Sequence, residues 1–182
     1  EREGVSLYPR EVTAAMVANF LSGGATINAF ARTLGVEVEV VDVGVDHEFS
    51  EAPNLVSRKI RRGTSNFREG PAMTASELEQ ALEVGWERAQ QAKDDGVELL
   101  GVGEMGIANT TSASAVITAL TNTSPEERTG RGTGIDETLL AHKVQVIRDS
   151  LEVNRRFFTD PFSILQSVGG FEIAALTGCV IS

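Results

Sequence analysis

Behind Thr74-Ala75-Ser76-Glu77 the apolar positions Leu78, Ala81, Leu82, Gly85, Trp86, Ala89 and Ala92 return at three- and four-residue intervals. That spacing predicts an amphipathic helix with one apolar face. It is opened by a capping box, in which the threonine and the glutamate satisfy each other's backbone N–H groups. The helix is expected to reach about Asp95 and to stop at Gly96. Upstream, Pro9 suits a first helical turn, and Val12, Ala15, Met16, Ala18 and Phe20 recur at helical spacing until Ser22-Gly23-Gly24. A second helix is expected from Ala25 to Leu34, ended by Gly35.

The period then changes. In VEVEVVDVGV, Val36, Val38 and Val40 alternate with Glu37 and Glu39 and the run turns fully apolar near 41–43, which predicts a strand. Residues 46–73 show little periodicity, and Pro53, Gly63, Gly70 and Pro71 punctuate them. The apolar run from Val97 to Val102 predicts a second strand, so strand, long loop, helix and strand would form a parallel crossover. After a helix beginning near Thr110, residues 124–134 read as a polar glycine-rich loop. A helix from Asp136 to about Asn154 follows, with Leu139, Leu140, Val144, Ile147 and Leu151 on one stripe. Asp160-Pro161 opens a short helix that Gly169-Gly170 breaks, and the apolar run 176–181 reads as a strand cut at its end. The fold class expected is α/β, a Rossmann-like parallel sheet flanked by helices with part of a smaller helical lobe. Residues 1–35 form a helical lead-in, a candidate to pack with a small lobe. Residues 36–182 form an α/β core incomplete at its C-terminus, in a chain that reads as truncated at both ends.

The chemistry concentrates between the expected second strand and the helix after it. In LGVGEMGIANTT, Gly101, Gly103 and Gly106 precede Asn109, Thr110 and Thr111. Glycines let the backbone take positive φ and approach a ligand, and the first turn of a helix offers unpaired N–H groups and partial positive charge. Such a corner suits an anion, most often phosphate. Glu104 is unusual in a phosphate cradle, because a carboxylate repels phosphate, and it is expected to face a hydroxyl or a cationic ring. The bland alternative is a tight turn with no ligand; spacing matches neither the dinucleotide nor the P-loop fingerprint. The position beyond a strand's carboxyl end, where open parallel sheets bind ligands, favours binding.

Composition narrows the class. The chain has 182 residues, 41% hydrophobic and 23% charged, with a formal net charge of −10, which suits a soluble domain and disfavours nucleic acid or an anionic membrane as a partner. A single cysteine, Cys179, allows no internal disulfide and no cysteine-cluster metal site, and reads as a small buried hydrophobe. With no bilayer-length apolar run and no signal-peptide pattern, a cytoplasmic location is expected. The basic cluster Arg58, Lys59, Arg61 and Arg62 is either a solvated loop or a reach toward a phosphate-bearing ligand or a neighbouring subunit. Gly130-Arg131-Gly132-Thr133-Gly134 is a mobile linker or a second ligand loop on the same rim, with Thr133 adding a hydroxyl. Lys143 and His142 read as solvated, Glu172 as a helix cap or a catalytic group. His47 between Asp46 and Glu48 lacks fixed metal-ligand geometry, so neither metal nor cofactor is expected.

Several separated segments carry a resemblance: GVSLYP (4–9), NFLSGGATINAFAR (19–32), GTSNFREGPAMT (63–74), GVGEMGIANTT (101–111), GRGTGID (130–136), HKVQVIRDSL (142–151) and VGGFEIAALTG (168–178). Together they resemble the nicotinate-nucleotide:dimethylbenzimidazole phosphoribosyltransferases of cobalamin nucleotide-loop synthesis. The resemblance implies transfer of phosphoribosyl from nicotinate mononucleotide to dimethylbenzimidazole or a related azole base. Nicotinate is released and α-ribazole phosphate formed with inversion at the anomeric carbon, by a homodimer. It implies that Glu104, Met105, Gly106, Ile107, Ala108, Asn109, Thr110 and Thr111 bind the phosphoribosyl moiety, with Lys143 on phosphate or ribose. Gly132 would border the nicotinate, and Ser6 and Tyr8 the aromatic-base pocket. The donor already carries its phosphate, so the acidic-pair signature of diphosphate-ribose enzymes is not needed, and VVDVGVDHE is not one.

Two departures stand out. The family's loop commonly reads GEMGIGNTT, whereas this chain has Ala108 in place of the second glycine, where a methyl group would crowd a ligand or oppose a positive φ. The family's general base is a glutamate expected beyond Ser182, so no catalytic residue is assigned here, and a piece without that base would be slowed roughly 10²–10⁴-fold. Two other readings stay open: a catalytically inactive nucleotide-binding or regulatory module of the same fold, and a binder of NAD, against which the missing GxGxxG speaks.

Overall fold

The computed structural model describes residues 3–132 and 134–182. Helices α1 (Glu11–Leu21) and α2 (Thr26–Leu34) lead into strands β1 (Val40–Asp42) and β2 (Leu55–Ser57). The remainder is helical: α3 (Ala75–Asp94), α4 (Asn109–Thr121), α5 (Pro125–Arg128), α6 (Glu137–Asn154), a 3-10 turn (Arg155–Phe157), α7 (Pro161–Val168) and α8 (Phe171–Ile181). The class is mixed α/β with a parallel sheet, as the pattern predicts, but the sheet described has two strands, in the register Val40 to Leu55, Val41 to Val56 and Asp42 to Ser57.

Local signals set the helix ends. The Thr74 hydroxyl accepts from the Glu77 N–H at 3.2 Å while the Glu77 carboxylate accepts from the Thr74 N–H at 2.8 Å, the reciprocal box expected. Asp136 caps α6 through the Leu139 N–H at 2.8 Å, and Asp160 caps α7 through the N–H groups of Phe162 and Ser163 at 2.8 and 2.9 Å. Gly35 ends α2 in the left-handed conformation at φ 69°.

The strand expectations need correction. Residues 36–39 do not join β1, because β2 offers a partner only to residues 40–42. The aperiodic segment 46–73 hides β2, three residues being too few to show a period. The run 97–102 is not a strand and the crossover through it does not form: the parallel ladder is made by β1 and β2, and no strand among the described residues lies beside 97–102. Leu99 is 90% exposed there. The run 176–181 is the second half of α8, not a strand. Gly178 and Gly85 let α8 and α3 approach until backbone meets backbone, and that close contact fixes the run as helix. Within the expected loop 124–134, Ser124 and Pro125 start the short helix α5.

The core joins Ala72, Met73, Leu78, Ala81 and Val84 to Leu165, Phe171 and Ala174, where α3 meets α7 and α8. A second cluster, Ala115, Ile147, Ile164 and Val168, joins α4, α6 and α7. Backbone bonds from Ala72 N–H to the Ser167 carbonyl at 2.9 Å and from Met73 N–H to the Gln166 carbonyl at 3.0 Å tie the long loop to α7. The effect is to hold the start of α4 beside the middle of α6.

Candidate functional site: an anion niche at the start of α4

The chain leaves α3 through Gly96, runs without helix or strand to residue 105, and turns into α4 through two left-handed residues, Gly106 at φ 83° and Ala108 at φ 62°. Just ahead of them stands Glu104, whose carboxylate accepts from the Gly106 N–H and from the Asn109 side-chain amide. The loop thus closes on itself around one carboxylate. Because no side chain caps α4, its first N–H groups depend on the surroundings for partners.

Across from this helix start is Lys143 of α6. The solvated lysine ordinarily expected on a helix is not what the fold makes: Lys143 is 1% exposed. Its Nζ donates to Thr110 Oγ1 at 2.8 Å and to the Gly130 carbonyl at 3.3 Å, and among the described residues no carboxylate pairs with it. Burial pushes its pKa below the usual lysine value of 10.5. A buried cation with only neutral partners is incomplete, and an anion completes it.

The glycine run joins the same place. Gly132 has φ +54°, and a β-carbon on it would lie 3.0 Å from Thr110 Oγ1 and 3.5 Å from Lys143 Nζ, so backbone approaches the lysine where a side chain would crowd it. Ser6 and Val5 from the lead-in wall the niche together with Gly106, Ala108 and Thr110. Arg131 and Ile135, which the sequence reading did not single out, complete the wall, and Arg131 also pairs with Glu137. The arginine's only sequence signal is its place inside the glycine run. The niche holds about 10 Å³. That is no more than one water occupies, so a ligand meets these residues at the mouth of the niche.

Of the other expected residues, Asn109 and Thr111 stand at the helix start with buried oxygens, Asn109 Oδ1 and Thr111 Oγ1, that find no partner among the described residues. Such groups ordinarily have one. Met105 and Ile107 flank the loop without walling the niche, and the Tyr8 ring is exposed, its N–H donating to Ser6 Oγ at 3.2 Å. Thr133 lies outside the described residues.

The basic cluster is neither merely solvated nor free for phosphate. Lys59 pairs with buried Asp42 at 2.7 Å, Arg62 with Glu48 at 2.7 Å, Arg58 with Glu87 and Arg61 with Glu77. Glu48 and Asp46, bonded to Arg62 and Arg10, are turned to arginines rather than gathered on His47. A wider cleft of about 510 Å³ contains Arg61, Ser65 and Thr74. Their polar groups already bind one another or the backbone, Arg61 reaching the Gly63 carbonyl at 2.7 Å and Ser65 Oγ at 3.0 Å.

A family profile described as Phosphoribosyltransferase, DBI_PRT, matches residues 1–182. The chain belongs to this phosphoribosyltransferase family. Relatives named nicotinate-nucleotide–dimethylbenzimidazole phosphoribosyltransferase include one from Geobacter sulfurreducens, 51% identical over 179 residues, and one from Chlorobium chlorochromatii, 52% identical over 179 residues. Each match takes in 98% of this chain and 51% of the relative, so the phosphoribosyltransferase segment here spans about half the length of those proteins. The crystal structure of CobT from Thermus thermophilus superposes with a TM-score of 0.92 at 46% identity, over 98% of this chain and 53% of that one. No helix among the described residues is long and apolar enough to cross a membrane.

Proposed function

We propose that the protein carrying this segment transfers phosphoribosyl from nicotinate mononucleotide to dimethylbenzimidazole or a related azole base. The carrying observation is Lys143, a buried ammonium beside the uncapped start of α4 with no acid to balance it. A phosphate monoester supplies that charge and accepts the free N–H groups of the helix. The 5′-phosphate lies at the mouth of the niche, facing Lys143 and the start of α4, with the ribose along residues 104–111 and the leaving nicotinate by Gly132. Ser6 and Tyr8 border the acceptor ring. One acceptor nitrogen attacks the anomeric carbon as the bond to nicotinate breaks, nicotinate leaves with the electron pair, and the proton of the second acceptor nitrogen goes to a base outside this segment. The whole protein acts as a homodimer in this reading. The exposed stripe Ile27, Phe30 and Leu34 on α2 supports it, being apolar surface of the kind an interface covers.

The test is chromatographic detection of α-ribazole phosphate and nicotinate from nicotinate mononucleotide and dimethylbenzimidazole with the full-length protein. Product is expected, and Lys143→Met should raise KM for the mononucleotide at least about tenfold, the worth of a hydrogen bond to a charged group. Mononucleotide bound without product leaves a nucleotide-binding module in place of the transferase.

A further inference from the structure

Among the described residues two that are not glycine have positive φ, Ala108 at 62° and Asn122 at 51°. Asparagine visits this region with help from its own side chain, whereas alanine disfavours it roughly tenfold against glycine and has no group to offset that. Whatever holds Ala108 must come from elsewhere in the loop. Gly106, two residues before it, and Asn109, directly after it, are both bound to one group, the Glu104 carboxylate. The Ala108 carbonyl then accepts from the Thr111 N–H at 3.3 Å and starts α4. Glu104 is poorly suited to touch a phosphate itself, since like charges repel.

We infer that Glu104 is a positioning residue: its carboxylate bridges Gly106 and Asn109, holds Ala108 in the left-handed conformation, and so aims the first turn of α4 at the space beside Lys143. The inference rests on the nucleotide reading of that niche. It makes Glu104 and Ala108 a coupled pair, because a glycine at position 108 adopts the conformation unaided and removes the need for the clamp.

A double-mutant cycle tests this, with Glu104→Ala, Ala108→Gly and both together made in the same chain. Each variant is read by its urea unfolding midpoint and by calorimetric titration with nicotinate mononucleotide. Glu104→Ala alone should lower the midpoint and weaken binding roughly tenfold, the left-handed preference that the clamp supplies. The double variant should recover to within about threefold of Ala108→Gly alone. A double variant as weak as Glu104→Ala overturns the inference, because Glu104 then acts on the ligand directly. An unaltered Glu104→Ala variant overturns it as well. If the unmodified chain binds no mononucleotide, the nucleotide reading fails, and the unfolding midpoints still decide: coupling between the two positions upholds the clamp and additivity overturns it.

Discussion

Lys143 on α6 and Thr110 on α4 are 33 residues apart and joined at 2.8 Å, the ammonium donating to a hydroxyl that carries no charge to balance it. The fold thus keeps a desolvated cation with no counter-charge among the described residues. Burial lowers its pKa from 10.5. In the window between the lowered value and 10.5 the unfolded chain binds more protons than the folded one, so stability rises with pH through that window. Lys143→Met should flatten the rise and, at neutral pH without ligand, should stabilise the chain on the order of 1 kcal/mol, since a buried charge without a counter-charge is removed. Urea unfolding of both proteins from pH 7 to 11 measures it. A variant less stable than the parent at pH 7 would show that the lysine is structural.

Gly85 and Gly178 make the contact between α3 and α8. A β-carbon at Gly85 would lie 1.7 Å from the Ala175 carbonyl oxygen, and one at Gly178 would lie 1.9 Å from the Leu82 carbonyl oxygen. Both obstacles are backbone, so no side chain can swing aside. Gly85→Ala and Gly178→Ala should each cost about 3 kcal/mol or more, at the upper end of overpacking. Alanine at Gly96 or Gly70 meets nothing within 4 Å, but Gly96 has φ +80°, so Gly70→Ala is the proper control. Thermal unfolding with equal midpoints for Gly85→Ala and Gly70→Ala would refute the close contact.

What the sequence showed and what it hid follow from how far apart the interacting groups lie. The ends of α3, α6 and α7 were legible because Thr74 with Glu77, Asp136 with Leu139 and Asp160 with Ser163 act across three residues. The family-like loop 101–111 was legible for the same reason. The environment of Lys143 was not, since Thr110 and Gly130 reach it from 33 and 13 residues away. Residues 97–102 have the composition of a strand, but a ladder also needs a neighbour, and composition cannot supply one. The run 176–181 is apolar in either period, and the α3 glycine that decides for helix is about 90 residues upstream.

Glu172 offers the last prediction. It is the second residue of α8, and its carboxyl folds back over Gly170, where a β-carbon would lie 2.3 Å from Oε1 and 2.6 Å from Oε2. Only glycine at 170 permits this pose. Burial pushes its pKa up from 4.5 and the Glu104 carboxylate pushes it further, against the opposing pull of its own backbone N–H. Above 4.5 and below the raised value the folded chain holds a proton that the unfolded chain has released. Stability is therefore fully present below 4.5 and declines as pH rises through the raised value. Glu172→Gln is neutral at every pH and keeps the shape of the protonated acid, so its stability should match the parent at pH 4 and exceed it increasingly as pH rises. Unfolding midpoints across pH 4–8 report the difference. Parallel curves for the two proteins would mean that Glu172 is ionised in the fold and that its pKa is not raised by burial.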